Sequence, residues 1–133
     1  MLITIDKVLS LKQLPIFKTV SNMALSDLMA VCEEKTMKKG EKLIVAEEQN
    51  KYVYFLLSGS VEISQNDHKE IIASHAVIGL DSVFLIAKAN KNATVKQTAI
   101  VLQTSRNKLY RMMALHPSLA MAILHEMSSM IQK

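Results

Sequence analysis

Four histidines, one cysteine and three glycines bound the chemistry open to this chain. His68, His75, His116 and His125 fall at no H-x-H or H-x3-H spacing, so no pair is set to present two imidazoles to one metal ion. A metal held between barrel strands would need His and Glu clustered there, and only His75 lies near a strand-like run. The serines have no G-x-S-x-G context, and Cys32 has no histidine nearby in sequence to activate it. With only Gly40, Gly59 and Gly79, neither a G-x-G-x-x-G loop nor a P-loop can be written. The chain reads as a non-enzyme, with no metal and no resident cofactor. One stretch, residues 78–95, IGLDSVFLIAKANKNATV, has a different character. It runs from Gly79 through a short apolar segment, able to form a turn of helix, to Lys91 just before a strand. A helix start with a nearby cation can hold an anion. A connection that packs Val83, Phe84, Leu85 and Ile86 into the core has the same spacing, and spacing alone does not choose between the two.

These residues must be positioned by a chain of 133 residues, enough for one domain with a real core. The central stretch is 52–63, YVYFLLSGSVEI. Two β-prone runs separated by Ser58 and Gly59 read as a tight hairpin, since glycine supplies the positive φ of such turns. The first run is apolar on both faces, which predicts burial on both sides. Strands are also expected at 43–45, 70–73, 93–96 and 99–103, with a turn at Lys39, Gly40 and Glu41. Before them, Val8, Leu9, Leu11 and Leu14 mark a short helix stopped by Pro15. Ser21 is a candidate N-cap for a helix with Leu25, Leu28, Met29 and Cys32 on one stripe, ending near Glu34. After them, Ser105 caps a helix over 106–115, and Pro117 opens a last helix carrying Leu119, Ile123, Met127 and Met130, with Leu124 and Ile131 beside them. The expected architecture is one mainly β domain over 1–133: a helical N-terminus to about residue 35, a barrel-like β region over 36–104, and C-terminal helices over 105–133.

Composition narrows the setting. The net charge is a mild +4, the lysines are spread along the chain, there is no Trp, and Arg106 and Arg111 are the only arginines. No nucleic-acid contact by this chain is expected. No apolar run, 53–57 included, is long enough to cross a bilayer, so no membrane insertion is expected. The start, MLITIDKVLSLKQLP, lacks the basic n-region of a signal peptide. The lone Cys32 excludes an internal disulfide and suits a reducing cytoplasm, the expected location.

Taken together, LKQLPIF (11–17), MKKGEKLI (37–44), YVYFLLSGSVEI, NATV (92–95) and HPSLAMAILHEM (116–127) resemble the cyclic-nucleotide-binding domain family over nearly the whole chain. The resemblance implies an eight-stranded, jelly-roll-like β-roll (a double-stranded β-helix) with N-terminal helices and C-terminal lid helices. It also implies binding of cyclic AMP or cyclic GMP and signalling to an attached or partner effector. The family's phosphate-binding cassette maps onto Gly79, Leu80, Asp81, Ser82, Lys91, Asn92, Ala93 and Thr94. Two departures stand out: Leu80 occupies the place of the glutamate that holds the ribose 2′-hydroxyl, and Lys91 that of the arginine that grips the phosphate. The preceding turn also departs, with Ser74-His75-Ala76-Val77 in place of Gly-Pro-Gly-Asp. A lost charge-assisted hydrogen bond and a point charge in place of a planar fork together remove roughly 3–4 kcal/mol. At about 1.4 kcal/mol per decade, that is two to three orders of magnitude in affinity. The expectation is therefore a regulatory or interaction module with cyclic-nucleotide binding lost or weakened. The alternative is a working sensor of a cyclic nucleotide or another small anion, in which Lys91 holds the phosphate and Asp81, one residue on, takes the ribose. Family members that regulate transcription carry a DNA-binding domain after the lid helix, and others belong to channels, kinases or transporters. In relatives the last helix can dimerise, so a homodimer through it is a further expectation.

Overall fold

The stretch 52–63 is not a hairpin. In the computed structural model, which describes residues 4–85 and 88–131, it belongs to one 14-residue strand, β3 (Tyr52–Gln65). The expected strands at 93–96 and 99–103 likewise merge into β6 (Asn92–Ser105). These two strands pair antiparallel along their length, from Tyr52↔Ser105 to Ser64↔Asn92, with register shifts between Leu56 and Val61. Gly59 does take the positive φ its position suggested, +86°. It uses that freedom for a bulge in an unbroken strand, because β6 continues opposite it and gives both sides of the interruption something to pair with. The true two-residue turn comes later, at Asn66 (φ +55°) and Asp67, where Gln65 pairs with His68 at the head of β4 (His68–Ala73).

The remaining strands are β1 (Glu33–Met37), β2 (Lys42–Ile44) and β5 (Ala76–Ile78). The sheet order is β1-β6-β3-β4, with β2 added on β6 and β5 on β3. The first half of β3 pairs with β5 and with the end of β6, and its second half pairs with β4 and the start of β6. Counting β3 and β6 once for each half, the six strands supply the eight segments of a β-roll. Alternation along β3 divides the core. Val53, Phe55 and Leu57 join the helix-side cluster, where Phe17 lies 5.3 Å from Phe55 ring to ring. Tyr54, Leu56 and Val61 face the roll interior with Ile44, Ile78, Val95 and Val101. The run that is apolar on both faces is thus buried on both, as expected.

Helices cover the open side. Helix α1 (Thr4–Lys12) and a 3-10 turn (Pro15–Phe17) lead to α2 (Asn22–Ala30), whose N-cap Ser21 accepts from the Ala24 amide at 3.1 Å. Helix α2 stops four residues earlier than its apolar stripe suggests, because Glu33 is already paired with Gln103 on β6. Cys32 therefore sits in the connection, packed against the helix-side core and not on a helix face. Burial pushes its thiol up to about 12, which disfavours the thiolate and suits a packing role. Next come α3 (Leu80–Leu85), α4 (Arg106–Leu115), capped by Ser105 through the Lys108 amide, and α5 (Pro117–Ile131). Leu119 and Ile123 of α5 are fully buried, with Met127 and Met130 packed beside them. Leu124 is exposed, and the Ile131 side chain lies outside the described residues. His116, between α4 and α5, holds Asp27 of α2 at 2.8 Å. Among the described residues no helix is long and apolar enough to cross a membrane, and no group of His, Cys, Asp and Glu is set to hold a metal.

Candidate ligand pocket beside helix α3

Helix α3 starts directly from Gly79, whose φ is +89° and whose carbonyl accepts from the Val83 amide at 3.2 Å. A Cβ on Gly79 would meet Asn50 Nδ2 at 2.7 Å and the Tyr52 carbonyl oxygen at 3.0 Å, so this corner requires glycine. From there the helix divides its residues between two surroundings. Leu80 is 0 % exposed and belongs to the helix-side core, with Val83 buried and Phe84 packed against the same cluster. Phe84 also meets Tyr110 of α4 edge-on at 5.0 Å, and Arg106 donates from Nη1 to the Val83 carbonyl at 3.0 Å. Leu85 is exposed, unlike in the core-packing alternative, and Ile86 lies outside the described residues. Asp81 faces the other way, into a cavity of about 310 Å³ that it shares with Gly79 and Lys91.

The cavity has apolar walls from Ile63, Ile72, Val77, Ile78 and Met130, and polar ones from Glu70, Asp81, Lys91 and Glu126. Lys91 Nζ lies 3.4 Å from Asp81 Oδ2, with side chains 21 % and 35 % exposed. Among the described residues lining the cavity, three carboxylates thus stand against one ammonium, and that ammonium is already engaged.

Of the cassette positions, the structure brings Gly79, Asp81 and Lys91 together. Leu80 is turned away into the core, and the Ser82 side chain lies outside the described residues. Asn92 serves the scaffold: its Oδ1 accepts from the Ala46 amide at 2.9 Å, fixing the entry to β6. Ala93 is buried in the roll core, and Thr94 pairs opposite Lys42 and Glu62. Neither lines the cavity. Sequence reasoning missed Glu70, Glu126 and Met130. The signal existed: Glu70 shares a strand face with Ile72, and Glu126 follows Ile123 by three residues, on the same helix face.

With this geometry in hand, comparison with known proteins is specific. The family model described as "Cyclic nucleotide-binding domain" matches residues 34–116. Comparison with curated protein sequences gives no match. The fold is similar to the catabolite activator protein of Thermus thermophilus, with TM-score 0.80 and 11 % identity over 89 % of this chain and 58 % of that one. The chain therefore spans little more than half the length of that structure. It is also similar to the sensor domain of the transcriptional regulator DNR from Pseudomonas aeruginosa, with TM-score 0.80 and 18 % identity over 96 % of this chain and 90 % of that one. The C-linker/CNBHD of zELK channels, crystallized in the presence of cAMP, matches with TM-score 0.74 and 25 % identity over 95 % of this chain and 68 % of that one. The match spans most of the roll, and the roll, the helices around it and a cavity beside α3 agree with it: the chain belongs to the cyclic nucleotide-binding domain family.

Proposed function

We propose that this domain is a regulatory module, acting on an attached or partner effector, in which binding of cyclic AMP and cyclic GMP is lost or weakened. The observation that carries this reading is the Lys91–Asp81 pair. A cyclic phosphate entering the cavity must compete with a carboxylate for Lys91, the one cation among the described residues of the lining. It finds an ammonium, where a guanidinium would offer a two-pronged planar fit. Isothermal titration with cyclic AMP and cyclic GMP tests the proposal. The expected result is no saturable binding in the micromolar range, and a dissociation constant near about 10 μM for either ligand, about 6.8 kcal/mol of binding free energy, would refute it.

One observation favours a second reading, a weak sensor. Asp81 and Lys91 face the same cavity, so an opened pair presents an acceptor for a ribose hydroxyl and a cation for a phosphate. On that reading, Lys91→Ala abolishes a measurable affinity without loss of fold. On the first reading there is no micromolar affinity to abolish.

The expected homodimer is also proposed, through α5, which turns Met121 and Leu124 outward although both are large and apolar. Light scattering should give twice the chain mass. A monomer persisting at high concentration excludes it.

A further inference from the structure

The charge of the cavity is set by more than its cassette residues. We infer that Glu70 and Glu126 are specificity-determining residues that bias this cavity against anions, whatever stands at positions 80 and 91. The inference rests on the reading that nucleotide binding is weakened here, and assigns part of the cause to β4 and α5.

Glu70 reaches the cavity from β4, opposite Ile63 on β3, and Glu126 reaches it from α5. Among the described residues, ion pairs engage Lys7, Lys35, Lys91, Lys96 and His116, and none of these pairs includes Glu70 or Glu126. Lys91 is balanced by Asp81, so the charge left in the lining is that of the two glutamates. Five apolar side chains line the cavity beside them; Glu70 is exposed and Glu126 half-buried, so water screens part of that charge and the apolar wall leaves the rest to act on a ligand. A cavity of this size places any ligand within the screening length of both carboxylates, about 8 Å at physiological salt. A cyclic nucleotide brings one negative charge and is opposed, while a neutral nucleoside of the same base and sugar is not. Because Glu126 lies on α5, the bias against anions also depends on where that helix sits.

The test titrates cyclic AMP and adenosine by two-dimensional NMR, which reads millimolar affinities, against the wild-type chain and the E70Q/E126Q variant. Gln replaces Glu at nearly constant shape and helix propensity, and the amide spectrum reports directly that the fold is kept. The expected result is an affinity for cyclic AMP raised about tenfold, or about 1.4 kcal/mol, with adenosine unchanged within about twofold. Raising salt from about 50 to about 500 mM should strengthen cyclic AMP binding to the wild type and change it much less in the variant, where the described lining keeps only the balanced Lys91–Asp81 pair. No gain for cyclic AMP, including no detectable binding to either protein, overturns the inference, as does an equal gain for adenosine. Failure of the underlying reading looks different: the wild type would itself bind cyclic AMP at micromolar concentration.

Discussion

Gly59→Ala destabilises the domain by about 4 kcal/mol or more, a large share of the about 5–15 kcal/mol that holds an ordinary domain folded, whereas Gly40→Ala costs only about 1–2 kcal/mol. The two glycines have nearly the same φ, +86° and +93°, so backbone strain alone predicts similar losses. Their surroundings separate them. A Cβ on Gly59 would stand 2.4 Å from the Thr98 carbonyl oxygen, 2.7 Å from the Ala99 Cα and 2.8 Å from the Gln97 carbonyl oxygen. All three atoms are backbone of β6, the strand that β3 pairs with along its whole length, so relief requires breaking the ladder that holds the roll together. A Cβ on Gly40 meets nothing within 4 Å, and its amide bond to the Val95 carbonyl, 2.8 Å, survives the change. Urea denaturation of the two variants decides the matter. Equal losses would mean that Gly59 is a turn glycine and that β3 is not continuous.

This pair of glycines also marks what could be read in the sequence. Period-two runs, the caps at Ser21 and Ser105 and the Pro117 start are local signals, and each formed as expected because its physics is contained within a few residues. The kind of interruption at Gly59 is not local. A glycine at positive φ makes a hairpin when the chain folds back on itself, and a bulge when a partner strand runs past. Only β6, some forty residues on, decides which. The same holds for the end of α2: the apolar stripe continues through Cys32, but pairing of Glu33 with Gln103 takes the backbone first. In the pocket, motif matching found Gly79, Asp81 and Lys91 because they lie within one connection. It could not find Glu70 and Glu126, which reach the cavity from β4 and α5, outside that connection.

Leu80→Glu, the substitution that motif matching alone would choose to rebuild a ribose contact, is expected to unfold the domain and to bring no gain in nucleotide affinity. Leu80 is fully buried with Phe17, Leu57, Val83, Leu109 and Leu119, on the side of α3 that faces away from the cavity. Truncation there, Leu80→Ala, already costs about 2–5 kcal/mol through lost contacts and the hole left behind. A carboxylate in that core adds its own desolvation, for a total of about 5 kcal/mol or more at neutral pH. The sign of the pH dependence follows. Burial raises the introduced carboxyl's pKa in the folded state above its unfolded value of about 4.3, so the folded variant binds the extra proton more readily. The deficit relative to wild type should therefore shrink as pH falls toward about 4.3 and be largest above the raised folded value. Denaturation curves for wild type and variant at neutral and mildly acidic pH, with a cyclic AMP titration of whatever folds, give both readouts. Asp81→Asn provides the contrast: it touches the cavity and not the core, so it should leave stability within about 1 kcal/mol, since a part-exposed ion pair contributes little. If the Leu80→Glu chain instead kept wild-type stability and bound cyclic AMP at micromolar concentration, position 80 would have to face the ligand cavity, and the division of α3 between core and pocket would be wrong.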